Sequence, residues 1–254
     1  MFRCFKALSL TLALVGSIIF LGSCSSNTPA QARVFNAIPD GSEVDVEVNG
    51  QKDFTQLKFT DLSPTTNPPA TYTSVPSGSV TFEAFLTGTT TSAPPESTFS
   101  LNASTQYTVI LEGFNNEEEG NGAPTAVPYT DNNTAPASAN VEFRIINASP
   151  SSPGGSVDVY IEPGPYTGTL PATPTIAGLV YTQASAYQPV PVNTGGGGFD
   201  VIITAAGNQQ QLIHQNYNPS GSATTGGTIT TLVLVDVSGG GQMSPSPIEI
   251  NDLD

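Results

Sequence analysis

The chain has 254 residues, with 21 acidic against six basic side chains and a formal net charge of −15. That balance repels phosphate backbones and anionic headgroups, which argues against nucleic acid as a partner and against electrostatic adhesion to a bilayer. Twenty-five glycines and 22 prolines, with 37% apolar residues, point away from helices and towards a turn-rich all-β fold.

The N-terminal stretch MFRCFKALSLTLALVGSIIFLGSC has a basic start (Arg3, Lys6) and an apolar run from Ala7 to Phe20, closed by small residues. The run is short for a membrane span and reads as a secretory signal. Its end, Leu21-Gly22-Ser23-Cys24, resembles a bacterial lipobox. The resemblance implies cleavage before Cys24 and a diacylglycerol on its thiol. No cysteine follows Cys24, so the thiol has no disulfide partner in the mature chain. Several acyl chains, at about 0.8 kcal/mol per buried CH₂, would make such an anchor effectively permanent. Residues 1–23 are thus expected to be a lipoprotein signal peptide, and 24–31 a polar tether reaching at most ~25 Å. Ser25 after the cysteine resembles the enteric outer-membrane sorting pattern. The expected address is the cell envelope, with the protein lipid-anchored to the outer membrane.

Beyond the tether the sequence says much the same thing twice. RVFNAIPDGSEVDVEVNG from Arg33 returns as RIINASPSSPGGSVDVYI from Arg144. Arg33, Asn36, Ala37 and Pro39 match Arg144, Asn147, Ala148 and Pro150, and Val44-Asp45-Val46 matches Val157-Asp158-Val159. YTSVP (72–76) returns as YQPVP (187–191), VTFEAFL as FDVIITA, and QYTVILEG as TITTLVLVD. Pro124 and Asp131 match Pro245 and Asp252. The order of landmarks is the same both times, as a tandem duplication requires.

Within each copy the apolar residues alternate with period two, as in Val44-Asp45-Val46-Glu47-Val48. Asn49-Gly50 after that strand is a two-residue hairpin signal, because both residues accept positive φ. Six or seven such strands per copy, separated by Gly, Pro, Ser and Thr clusters, predict packed antiparallel sheets. The opening phrase reads as first strand, Pro-containing turn and second strand. The expected fold is all-β: two tandem antiparallel, immunoglobulin-like β-sandwiches after the signal segment, at 32–136 and 141–254. A linker at 137–140 lies within the polar joint DNNTAPASAN (131–140).

Each copy resembles the bacterial surface repeat known as domain of unknown function 4397, whose hallmark is a strand ending in His-Ala-Ser-Pro followed by Val-Asp-Val-Tyr-Val. Asn36 and Asn147 stand where that family usually has His. Ile38 replaces Ser in the first copy, while the second keeps Ala148-Ser149-Pro150 and Val157-Asp158-Val159-Tyr160. The resemblance implies a secreted or lipid-anchored sandwich of the envelope and no particular reaction.

Candidate chemistry is sparse. Asp45 to Gly50 fits the start of a calcium loop, but the required Glu eleven residues after Asp45 is Gln56, and alternation would bury the valines and leave Asp45, Glu47 and Asn49 solvated. Glu117, Glu118 and Glu119 in NNEEEGNG are the only metal candidates, and a solvated charge run is the favoured reading. His214, the sole histidine, has neither a Gly-x-Ser-x-Gly elbow nor a second His, and reads as a polar residue at a strand end. GGGG (195–198) reads as a turn. If the first two strands of each copy pair, Arg33 would approach Asp45, and Arg144 would approach Asp158. No catalytic residue and no cofactor is expected. The reading is a non-catalytic envelope lipoprotein with a structural or general binding role, whose partners are the membrane through its lipid and an envelope glycan or protein. A dedicated glycan- or protein-recognition module is the alternative, and a carboxylate-based hydrolase a lesser one. Against sugars, the chain has no Trp.

Overall fold

The structure, a computed structural model, describes residues 28–64, 71–115, 122–218 and 226–253. It is all-β. The first half contributes β1 (Ala30–Asn36), β2 (Val44–Val48), β3 (Gln51–Leu57), β4 (Leu62–Ser63), β5 (Thr73–Val75), β6 (Gly78–Leu86), β7 (Ser92–Leu101), β8 (Gln106–Glu112) and β9 (Thr125–Thr130). The second contributes β10 (Asn140–Asn147), β11 (Ser156–Pro163), β12 (Ile176–Val180), β13 (Gln183–Ala184), β14 (Gln188–Pro191), β15 (Phe199–Ala205), β16 (Gln211–Tyr217), β17 (Ile229–Leu234) and β18 (Ile248–Leu253). A single 3-10 turn, Pro153–Gly155, is the only helical element among the described residues. Each half has more strands than expected because two short pieces, β4 and β5 or β13 and β14, share one edge of the first strand.

Each half is a sandwich of two sheets. The first has an inner sheet β4-β1-β8-β9, with β5 also alongside β1, and an outer sheet β3-β2-β6-β7. The second repeats this strand for strand, with inner sheet β13-β10-β17-β18 plus β14, and outer sheet β12-β11-β15-β16. Pairing is antiparallel except at the centre of each inner sheet. There β1 runs parallel to β8, with Arg33 opposite Thr108, and β10 runs parallel to β17, with Arg144 opposite Thr231. The expected strand–turn–strand opening is present, but β1 and β2 lie in different sheets and do not pair. Asn49 and Gly50, at φ 50° and 78°, make the hairpin between β2 and β3.

Alternation places Val44, Val46 and Val48 in the first sandwich core beside Phe54, Phe82 and Leu111. The second core holds Phe143, Ile145, Val159, Val201 and Leu232, with Phe143 and Phe199 edge-on at 5.5 Å. A third apolar core lies between the halves, where Phe35, Ile110 and Tyr129 meet Ile146, Val233 and Ile250. The four sheets therefore stack outer–inner–inner–outer. This explains why VIL (109–111) and LVL (232–234) do not alternate: the inner sheets are buried on both faces.

The outward faces of the two outer sheets differ. In the second half, residues 164–174 cross that face, where the Tyr166 amide donates to Asp200 (2.7 Å) and Ile161 N to Thr175 Oγ1 (3.0 Å). Tyr160 and Ile202 are buried beneath. The first half joins β2 to β3 by the tight Asn49–Gly50 turn instead and has no equivalent segment among the described residues, so Glu47, Glu83 and Glu96 keep contact with solvent.

Candidate functional site

The duplicated polar residues converge on the plane between the inner sheets. Arg33 and Arg144 project from β1 and β10 away from their own sandwich cores, and both are buried. Arg33 Nη2 donates to Asp252, and Arg144 Nη2 donates to Asp131 at 2.7 Å. Each arginine thus bonds the aspartate of the other half. The second approaches, Arg33 to Asp131 at 3.6 Å and Arg144 to Asp252 at 3.9 Å, close the four groups into one cluster with no net charge.

The surrounding bonds repeat with the same near-twofold relation. Arg33 Nε donates to Thr108 Oγ1 (2.8 Å), which donates to Asp131 (2.7 Å). Arg144 Nε donates to Thr231 Oγ1 (3.0 Å), which donates to Asp252 (2.5 Å). Tyr72 lies under the Arg33 guanidinium at 5.2 Å and Tyr187 under that of Arg144 at 4.8 Å. The symmetry is incomplete. Arg144 Nη1 donates to Thr130 O (3.0 Å), whereas Arg33 Nη1 is buried without a partner among the described residues. The Tyr72 hydroxyl donates to Asp131 (2.8 Å), whereas that of Tyr187 accepts from the Asn132 amide (3.2 Å). Burial acts to discharge both guanidiniums, but Asp252 and Asp131 more than offset this and raise the pKa of each.

The arginines therefore do not meet Asp45 and Asp158, contrary to the sequence expectation. With β1 in the inner sheet and β2 in the outer one, the two side chains cannot oppose each other. Nor is Asp45 solvated; it is 3% exposed and accepts from the Gln56 amide (3.0 Å), the Gly88 amide (3.2 Å) and Lys52 Nζ (2.7 Å). Burial opposes its ionisation, but these three donors hold its carboxyl down at about 2. Asp158 is also bonded to backbone in the second half, accepting from the amides of Gly178 (2.7 Å) and Gly207 (2.8 Å). Each Val-Asp-Val aspartate ties an edge-strand amide, Gln56 in β3 or Gly178 in β12, and a turn amide, Gly88 or Gly207, to its own strand. Asn36 and Asn147 are also committed to backbone. Their side-chain oxygens accept from the amides of Ile38 and Ser149, and their NH₂ groups donate to the carbonyls of Leu57 and Leu179. The repeated phrase is thus structural throughout.

At the far end of the joint, Glu112 is fully buried and neither carboxylate oxygen has a hydrogen-bond partner among the described residues. Burial lifts its carboxyl to about 8. Burial and the nearby Glu112 charge raise the pKa of Tyr129 and of Tyr181, whose hydroxyls also lack partners among the described residues. Asp236, in the second half, accepts from Ser149 and from Ser151 Oγ (2.6 Å); burial raises its pKa and these bonds partly offset the rise.

His214 is not at a strand end. It sits in mid-β16 with Nε2 2.7 Å from Asp200 Oδ1, and Tyr166 stands edge-on at 5.3 Å. The pair fastens the segment that crosses the second outer sheet. The corresponding row on the first outer sheet is Glu47, Glu83 and Glu96, opposite one another across β2, β6 and β7. Like charges in that register repel.

Cys24 and the run Glu117, Glu118 and Glu119 lie outside the described residues. Among the described residues, no group of three or more His, Cys, Asp or Glu side chains is placed to hold a metal ion, and no helix is long and apolar enough to cross a membrane. Sequence reasoning paired Asp131 with Asp252 but missed their role, and it missed Thr108, Thr231 and Glu112. Tyr72 and Tyr187 carried a usable signal, since each opens its copy of the same short phrase.

The fold is a pair of β-sandwiches of matching strand order, joined through buried ion pairs between their inner sheets. The chain belongs to the family described as domain of unknown function (DUF4397), which matches residues 30–160, from the start of β1 into β11. No curated protein matches it.

Proposed function

We propose that the chain is a non-catalytic lipoprotein of the bacterial cell envelope, a stiff two-sandwich arm held at the outer membrane by a diacylglycerol on Cys24, with a structural or general binding role. In this reading the second half is a further copy of the same family unit. The observation that carries it is the exchange of aspartates between halves. Arg33, Arg144, Asp131 and Asp252 are all spent on joining two sandwiches, and Asp45, Asp158, Asn36 and Asn147 on holding turns. The signal, the lipobox and the polar tether support the anchor. Mass spectrometry of the N-terminal peptide from native membranes tests this. Cys24 should carry the lipid, and Cys24→Ser should move the protein out of the membrane fraction. A free thiol on a soluble protein would overturn the reading.

A specific observation favours protein recognition as a second reading. The face bearing Glu47, Glu83 and Glu96 is open, whereas its counterpart is covered by the chain's own residues 164–174. A basic protein segment suits that face better than a glycan, which would want aromatic platforms that the chain, lacking Trp, is poor in. Crosslinking in intact cells would recover such a partner from wild type and lose it with Glu83→Lys.

A further inference from the structure

Glu112 ends β8 on the face that looks into the joint. Ile110, two residues earlier on the same face, belongs to the core between the halves. Phe114, two residues later, is buried against the second half: a Cβ on Gly240 would come within 2.5 Å of its ring. The Gly239 amide donates to Pro39 O across the same seam (2.9 Å). Glu112 is thus flanked on both sides by contacts between the halves. Continuing the registers of β1 with β8 and of β10 with β17 by one residue, the second half's equivalent is Val235, itself buried in the joint core. A carboxyl group occupies a position whose twin is an apolar side chain.

We propose that the joint between the two sandwiches is a proton-dependent latch, closed while Glu112 is neutral and opened when it ionises. A neutral carboxyl is tolerable in an apolar seam, whereas an ionised one with no countercharge is not. Among the described residues no cation offsets a charge on Glu112. Tyr129 on β9 and Tyr181 after β12 face it with neutral hydroxyls, Asp236 beyond Tyr181 is acidic, and the guanidinium of Arg144, which acts on Tyr129, is bonded to Asp131. With the folded value near 8 and the ordinary value near 4.5, closure is fully favoured below 4.5 and is lost as pH climbs through 8. Opening at the joint leaves each sandwich core intact, because those cores lie on the other face of each inner sheet.

Pulsed hydroxyl-radical footprinting of the full-length protein in detergent at pH 6, 8 and 9.5 tests this. Labelling of Phe35, Phe114 and Tyr129 should rise several-fold across that range, while Phe82 and Phe143 in the sandwich cores stay protected. Glu112→Gln and Glu112→Val should keep the joint protected at every pH. Constant protection in wild type, or alkaline opening in both variants equal to that of wild type, would overturn the proposal. Failure of both variants to fold would overturn it too, since a neutral side chain is what the closed joint is argued to require.

Discussion

Asp252→Asn removes one charge from the shared cluster with almost no change in shape. Asp252 is 1% exposed and bonds Arg33 and Thr231. After the change, Asp131 alone must serve two guanidiniums. It already holds Arg144 at 2.7 Å, and Arg33 lies 3.6 Å away. Arg33 keeps Thr108 and the Tyr72 ring, neither of which carries a countercharge. Orphaning a buried ion costs about 3–5 kcal/mol, whereas an exposed pair would cost about 0–1 kcal/mol. For a chain of this size 1 kcal/mol corresponds to about 2–4 °C, so the midpoint should fall by roughly 6–20 °C in calorimetry. The loss should appear in both halves, because the aspartate sits in one and the stranded arginine in the other. A double-mutant cycle sharpens the test: Arg33 should couple strongly to Asp252 and negligibly to Asp45. Replacing Arg33 and Asp252 together by leucines should recover much of the loss, since a well-packed apolar pair often equals a buried salt bridge. A fall of less than about 1 kcal/mol for Asp252→Asn would refute the reasoning.

Other substitutions test the structural reading of the repeated phrase. Asn147→Ala strands the Ser149 amide and the Leu179 carbonyl and should cost about 1–3 kcal/mol by urea unfolding, as should Asn36→Ala in the first half. Asp158→Ala frees the amides of Gly178 in β12 and of Gly207 in the turn after β15, so hydrogen exchange at those two amides should accelerate while the strand centres of β11 and β15 hold their protection. Glu83→Lys turns two repulsive cross-strand neighbours into attractive ones and should stabilise the fold by about 0.2–1 kcal/mol, an effect that added salt diminishes.

Local features read well from the sequence. Val44-Asp45-Val46 announced a strand with one buried face, Asn49-Gly50 its hairpin, and the paired landmarks two sandwiches of matching strand order. What local reasoning misplaced were partners. Asp45 lies twelve residues from Arg33, but the chain changes sheets between them, and the true partner is 219 residues away. Period-two alternation assigned Asp45 to solvent, since nothing local reveals that the backbone amides of Gln56 in β3 and of Gly88 in a turn close over it. Glu112 drew no attention, although the unbroken apolar run VIL ahead of it marks a strand buried on both sides. His214 resembled an idle terminal residue because Asp200 and Tyr166 come to it from other segments.

The exchanged aspartates impose an order on biosynthesis. Polypeptide is made from its N-terminus, so β1 to β9 leave the ribosome long before β18 does. Until Asp252 arrives, the guanidinium of Arg33 has no dedicated counter-ion, and the apolar seam beside it stands uncovered. The early half must wait for the late one as a sticky, half-finished surface, and a chain cut short before its last strand would leave the beginning of the molecule, not only its end, in that state.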